Sequence, residues 1–306
     1  MNDYAAMGIG IICAGVGGEL FVRGIVGISR WARVSAGIVA ASVAAFATSS
    51  PELSIAVGSA MAKKPEISLG DALGSNVVNV ALIFAIPVIA SGIKHSPESV
   101  RRDFPFALFA PILTAALAMD GVLSRLDGLI LSGTFMIWMI YVMADARRQR
   151  SAVEKVLGER RGWLAFILSA AGLLFLIGAG KFIVMGARGI AQSFGIHEFI
   201  IGATVVAIGT SVPELATTLI AKYRGHDEVG LGTILGSNIF NGLFIVAVAA
   251  IIYPIHFAFR EVALVLLFGL AAVLLIWPIR GGHIGRGRGL LLIGLYIAYV
   301  ILVFEQ

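Results

Sequence analysis

Apolar residues run along this chain in long unbroken stretches separated by short polar connections. Ten such stretches stand out, at about residues 5–29, 36–62, 67–92, 103–120, 124–144, 162–191, 198–222, 229–254, 258–278 and 287–304. Each is long enough for a helix to cross a hydrocarbon core of roughly 30 Å. None shows the short alternation of a barrel strand. The pattern predicts an all-α integral membrane protein with ten transmembrane helices. The longest connection, about 145–161, holds Arg147, Arg148, Arg150, Lys155, Arg160 and Arg161 and reads as a solvated basic linker. It divides the chain into 1–144, 145–161 and 162–306.

The two outer parts are copies of one another. At a constant offset of 162 residues, Gly24 pairs with Gly186, Ala45 with Ala207, Thr48 with Thr210, Pro51 with Pro213 and Glu52 with Glu214. The register continues without a gap through Gly70 and Gly232, Gly74-Ser75-Asn76 and Gly236-Ser237-Asn238, and Asn79 and Asn241. Five spans separate equivalent positions. Five is odd, so the second copy enters the membrane from the opposite side. This predicts two inverted-topology five-helix repeats, a frequent architecture of secondary transporters.

Composition agrees. The chain has 306 residues, 58% hydrophobic and 13% charged, with a mean hydropathy of +0.95. A soluble domain carries about 25% charged residues. The net charge of +5 does not indicate nucleic acid, because most cations sit in short connections between apolar runs. Arg30, Arg33, Lys94, Arg101, Arg102, the linker cations, Lys222, Arg224, Arg280, Arg286 and Arg288 fall in alternate loops, which the positive-inside rule makes cytoplasmic. Both termini are then extracytoplasmic, in a cell (plasma or inner) membrane. The start, Met1-Asn2-Asp3-Tyr4, lacks the basic region of a signal peptide, so the first span is expected to be retained. The single Cys13 excludes an internal disulfide and reads as a packing residue.

The polar residues inside the apolar runs carry the chemistry. Ala45-Phe46-Ala47-Thr48-Ser49-Ser50-Pro51-Glu52 and Ala207-Ile208-Gly209-Thr210-Ser211-Val212-Pro213-Glu214 each place hydroxyls, a proline and a carboxylate at membrane depth. An intramembrane carboxylate costs roughly 2.5–3.5 kcal/mol on insertion scales and marks a functional site by default. Thr48 and Glu52 are four apart and share a helix face, as do Ser75 and Asn79; Thr210, Glu214, Ser237 and Asn241 repeat this. Proline frees backbone carbonyls near Ala45, Thr48, Ala207 and Thr210. The resulting donor set is all oxygen, which suits Ca²⁺ better than Mg²⁺ or soft metals. Gly70, Gly74, Gly232 and Gly236 have the small-xxx-small spacing that lets helices approach closely.

The paired motifs, Ala47-Thr48-Ser49-Ser50-Pro51-Glu52 with Gly74-Ser75-Asn76 through Asn79, and Gly209 through Glu214 with Gly236-Ser237-Asn238 through Asn241, resemble those of the cation/Ca²⁺ exchanger superfamily, and within it the prokaryotic sodium/calcium exchangers. The resemblance covers nearly the whole chain. It implies a secondary active antiporter, not an enzyme, with Ca²⁺ and Na⁺ as transported ions, no cofactor, and a monomer sufficient in the bilayer. It implies that Glu52 and Glu214, with the carbonyls of Thr48 and Thr210, hold Ca²⁺. Ser49, Ser211, Ser75, Ser237 and the carbonyls of Ala45 and Ala207 would complete flanking Na⁺ sites, with Asn79 and Asn241 at the centre. The first and sixth helices would slide together across this core. Two departures stand out: Ala47 replaces a usual glycine, and asparagine at both 79 and 241 argues against potassium dependence.

A proton-driven Ca²⁺ antiporter of the same fold is the nearby alternative. An intramembrane hydrolase using Ser49 or Ser211 would need a base, and no histidine or lysine lies in the polar core; a channel would need weaker, serial sites. Glu19 and Lys181 are repeat equivalents of opposite charge, read either as residues facing a polar crevice or as a state-dependent contact between the first and sixth helices. Asp71 reads as an N-terminal capping or interfacial acid of the third span, with an accessory role in cation entry as the other possibility.

Overall fold

The computed structural model describes residues 2–95, 97–152, 162–193, 207–277 and 282–305. Its helices are α1 (Asp3–Ala32), α2 (Ala36–Thr48), α3 (Ser50–Met61), α4 (Pro65–Ser91), α5 (Pro97–Leu117), α6 (Arg125–Ala152), α7 (Gly162–Ser193), α8 (Ala207–Thr210), α9 (Val212–Tyr223), α10 (Asp227–Ile252), α11 (Phe259–Ile276) and α12 (Arg286–Phe304). Six of them, α1, α4, α6, α7, α10 and α12, are long and apolar enough to cross a membrane. A seventh span results if α2 and α3, bent by 44°, count as one. α5 and α11 lie where the fourth and ninth spans were expected; α5 carries Pro105 and Pro111 inside it. Of the expected seventh span, residues 198–206 lie outside the described residues, and α8 and α9 cover the rest.

The outer faces are apolar. Leu129, Ile137 and Ile140 on α6 and Leu290, Leu291, Ile297 and Ile301 on α12 are exposed. A surface of this kind is a liability in water and the normal lipid face of a bundle. The protein is a multi-pass, all-helical membrane protein.

Glycine explains how α1 meets α7. A Cβ on Gly17 would stand 3.0 Å from the Gly172 carbonyl oxygen, and one on Gly172 would stand 2.8 Å from that of Gly17. Gly10 faces Ile183 and Gly24 faces Ser169. As the α1 number rises the α7 number falls, so the two helices run antiparallel with almost no side-chain layer between them. Gly10 and Gly172 are repeat equivalents, as are Gly24 and Gly186, so the seam is built from both copies of one pattern.

The halves also interlock at their edges. Strand β1 (Ile93–Lys94) pairs antiparallel with β4 (His283–Ile284), and β2 (Val122–Leu123) pairs with β3 (Ile255–His256). Each pair takes one strand from each repeat. The larger apolar core joins α4, α5 and α6 to α10, α11 and α12, while a smaller cluster packs α1 and α7 against α2 and α9.

Three local expectations change. α6 runs to Ala152, so the first part of the expected linker, 145–152, is helical, and 153–161 lie outside the described residues. Asp71 does not cap its helix: α4 begins at Pro65, and Glu66 is the acid of its first turn. Arg102 is no solvated loop charge. It lies buried within α5, where it donates to Asp103 twice at 2.8 Å and to Asp145 at 2.8 Å, while Trp138 Nε1 donates to Asp103 at 3.3 Å. A buried carboxylate is tolerated when paired and hydrogen-bonded in this way.

Candidate ion-binding site

The first motif breaks its helix. α2 ends at Thr48, Ser49 departs from helical geometry (φ −85°, ψ 13°), and α3 restarts at Ser50 with Pro51 in its first turn. Proline fits there because the first amide groups of a helix lack intrahelical acceptors anyway. Thr48 and Glu52 therefore do not share one continuous helix, as their spacing alone suggested. Glu52 stands instead in the first turn of α3, the favourable end of the helix dipole for an acid. The Ala47 carbonyl, four residues before Pro51, accepts from Ser50 Oγ at 2.8 Å. The Ala45 carbonyl accepts from Ser49 N at 3.0 Å and Thr48 Oγ1 at 3.3 Å. The second motif repeats the break at Ser211 (φ −88°, ψ 9°), with Pro213 and Glu214 opening α9.

These breaks bring the two motifs together. Ser49 Oγ donates to Glu214 Oε1 at 3.3 Å, and Ser237 Oγ donates to the same oxygen at 3.2 Å. The hydroxyls of Thr48 and Ser237 lie 3.4 Å apart. Glu52 and Glu214 are each only 1% exposed. Thr48, Ser49, Ser75, Asn79, Ser211, Ser237 and Asn241 are all buried, as is Ala45. Thr210 stands one residue before the Ser211 break. The Ala207 backbone opens α8; its side chain lies outside what is described.

The cluster is under-satisfied. Glu52 Oε2, Glu214 Oε2, Ser75 Oγ, Ser211 Oγ, Asn79 Oδ1 and both polar atoms of Asn241 are buried with no hydrogen-bond partner among the described residues. Buried polar atoms normally find one, so each orphan requires an explanation. Here six orphaned oxygens belong to four broken or wound-out segments that meet, which is the chemistry of a hard-cation cage. The two half-sites differ: Glu214 receives Ser49 and Ser237, whereas the equivalent hydroxyls, Ser211 and Ser75, have no partner among the described residues.

Asn79 and Asn241 sit in wide π-helical turns, Val78–Phe84 and Phe240–Ile245, which are repeat equivalents. Such turns are frequent at functional positions. Sequence reasoning left one pair without a role. Asn76 Nδ2 donates to the Asn238 carbonyl at 3.0 Å, and Asn238 Nδ2 donates to the Asn76 carbonyl at 3.0 Å. Asn79 Nδ2 then donates to Asn238 Oδ1 at 3.1 Å. A residue that meets its own repeat equivalent in a reciprocal pair sits on a two-fold relation, as in an isologous dimer contact. The signal was present, since both asparagines belong to the duplicated Gly-Ser-Asn motif. Asn76→Ala is expected to cost about 1 kcal/mol and Asn238→Ala about 1–3 kcal/mol, since the second also leaves Asn79 Nδ2 without its acceptor. Each amide donates to a backbone carbonyl that survives substitution of the other residue, so the two costs should be close to additive in a double-mutant cycle on unfolding.

Helices also approach closely around α10. A Cβ on Gly232 would lie 2.8 Å from the Gly37 carbonyl oxygen, and one on Gly236 would overlap the Ala41 carbonyl. Gly74 meets only the Tyr299 hydroxyl, at 3.6 Å, and Gly70 meets nothing within 4 Å among the described residues.

Glu19 and Lys181 do not touch. Glu19 is clasped by Arg224, from Nε at 2.9 Å and from Nη2, and also by Arg23. Gly18 beside it packs on Ala216 and Ile220 of α9. Lys181 lines a cavity of about 830 Å³ that reaches Ser50 and Pro51 of the first motif and Thr210 and Pro213 of the second.

Broken helices around a buried, acidic, all-oxygen cluster in a multi-pass bundle define a membrane transporter. A family model described as sodium/calcium exchanger protein matches residues 3–144 and again 164–305, and the chain belongs to that family. It is an exchanger family, so the chain is a transporter and not an enzyme. The putative antiporter CaxA of Alkalimonas amylolytica is 29% identical, over 97% of this chain and 97% of its own. The inner membrane protein YrbG of Escherichia coli (strain K12) is 30% identical, over 87% of this chain and 86% of its own. A structure of the sodium-calcium exchanger NCX_Mj, soaked with Na⁺ and Sr²⁺, superposes with a TM-score of 0.86 at 27% identity, covering 98% of both chains.

Proposed function

We propose that this chain is a secondary active antiporter that exchanges Na⁺ for Ca²⁺ by alternating access. The observation that carries the reading is the pair of buried glutamates, one from each repeat, among hydroxyl and amide oxygens that have no partner among the described residues. Two carboxylates balance one divalent ion. Glu52 and Glu214, with the carbonyls of Thr48 and Thr210, are the divalent ligands. Ser49, Ser211, Ser75 and Ser237, with the carbonyls of Ala45 and Ala207, supply Na⁺ positions, and Asn79 and Asn241 line the centre. Family membership and the likeness to NCX_Mj support cation/Ca²⁺ exchange.

The same reading gives the chain ten spans in two inverted repeats, 1–144 and 162–306, joined on the cytoplasmic side through 145–161. Both termini are extracytoplasmic, in the inner or plasma membrane, and one chain suffices because both half-sites lie within it. The duplicated hydroxyls favour Na⁺ over H⁺ as the driving ion, since a proton needs no oxygen cage.

The test is ⁴⁵Ca²⁺ uptake into proteoliposomes loaded with Na⁺ and diluted into Na⁺-free buffer. Uptake is expected to follow the outward Na⁺ gradient and to survive a proton ionophore. Uptake driven only by an imposed pH gradient would make the protein a H⁺/Ca²⁺ antiporter instead.

A further inference from the structure

The cavity beside the two motifs contains a cation of the protein's own. Lys181 lines it together with Ser50, Pro51, Thr210 and Pro213. Its depth is fixed by its neighbour: a Cβ on Gly180 would lie 2.8 Å from the carbonyl oxygen of Gly209, the residue before Thr210. Lys181 thus stands level with the second motif. Among the described residues its ammonium has no carboxylate partner. Asp3, the other charged residue lining the cavity, stands against Gly189. Eight helical residues, roughly 12 Å along α7, separate that position from Lys181.

The repeat equivalent of Lys181 is Glu19, and there the charge is tied up by Arg224 and Arg23. The two ends of the sliding pair therefore differ. One carries a neutralised acid against a closed packing contact, and the other carries a base that has no carboxylate partner among the described residues and lines the cavity. Lys181 stands in the middle of α7 and lines the cavity.

We infer that Lys181 sets the balance between divalent and monovalent cations at this site, by acting as a fixed positive charge on the route to Glu52 and Glu214. The inference rests on the exchanger reading above. A point charge repels a divalent ion with twice the energy it exerts on a monovalent ion at the same place. Any factor by which Lys181 weakens Na⁺ binding is therefore squared for Ca²⁺. For charges about 8 Å apart in a mostly wet cavity the factor is about threefold for Na⁺ and about tenfold for Ca²⁺. The lysine keeps Ca²⁺ from outcompeting Na⁺ so strongly that it could not be released.

The experiment is equilibrium ⁴⁵Ca²⁺ binding to the purified full chain, with displacement by Na⁺, in wild type, Lys181→Gln, Lys181→Arg and Lys181→Glu. Lys181→Gln is expected to tighten Ca²⁺ by about the square of its per-ion effect on Na⁺. Lys181→Glu should double the logarithm of both effects, Lys181→Arg should leave both unchanged, and raised ionic strength should shrink them all. Equal factors for the two ions, or no change in Lys181→Gln, would overturn the inference, because a merely structural role scales both ions alike. Wild-type protein that binds no Ca²⁺ would overturn the exchanger reading itself, which separates the two failures.

Discussion

Glu52→Gln and Glu214→Gln are each expected to abolish Ca²⁺ exchange while leaving the ion-free protein at least as stable as wild type. The substitution is nearly isosteric and removes one negative charge from a site where both carboxylates are 1% exposed. Losing one partner of a buried charged contact costs about 3–5 kcal/mol, or roughly 10²–10³-fold or more in affinity for the bound cation. Without an ion the sign reverses. Charge on two buried carboxylates is costly, and among the described residues Glu52 Oε2 and Glu214 Oε2 have no donor. Removing one charge relieves that cost, so function and stability are opposed, as they are at strained sites. The variants should differ in degree. Glu214 Oε1 accepts from Ser49 and Ser237, and a glutamine there must keep its carbonyl on that side. Thermal unfolding in a Ca²⁺ titration reads both effects: wild type should gain Tm as Ca²⁺ rises, and the variants should start as high or higher and gain nothing. A Tm that falls in both variants without Ca²⁺ would mean the glutamates hold the helices together.

The duplication made most of this legible before any coordinates. Asn76 and Asn238, matched at an offset of 162, turn out to face each other in space, and the matched glycines Gly10 and Gly172, and Gly24 and Gly186, all lie in the seam between α1 and α7. An inverted repeat must close on itself around a two-fold relation, so equivalents near that axis are neighbours. What sequence spacing missed is backbone departure from the ideal helix. Four-residue spacing placed Thr48 and Glu52 on one face, but the chain breaks at Ser49 and bends by 44°. The π-helical turns at Asn79 and Asn241 lie inside apolar runs whose spacing reads as continuous α-helix, so the pattern of apolar residues does not mark them. Charge in a connection was equally ambiguous. Arg102 looked like a loop cation, yet helix α5 starts earlier and buries it against Asp103. Only tertiary pairing distinguishes a topology signal from a structural ion pair.

Gly236→Ala is expected to lower exchange more than tenfold and to cost about 1–3 kcal/mol of stability, the range for overpacking a tight contact. The new methyl would overlap the Ala41 carbonyl and stand 2.7 Å from the Ala45 side chain. Both neighbours belong to α2, and neither can rotate away, since one is backbone and the other a bare Cβ. The helices must part instead. Ala45 lies one turn before Thr48, whose hydroxyl is 3.4 Å from that of Ser237, the residue after Gly236. Separation at Gly236 therefore pulls apart the oxygens that link the two motifs. Gly133→Ala on α6 is the matched control, because nothing among the described residues lies within 4 Å of its Cβ position; it should be neutral or slightly stabilising, as alanine is the better helix former. Exchange rates and Tm for the two variants decide the matter. If Gly236→Ala exchanged at the wild-type rate with an unchanged Tm, close approach of α2 and α10 would not be what holds the two motifs in reach of one ion.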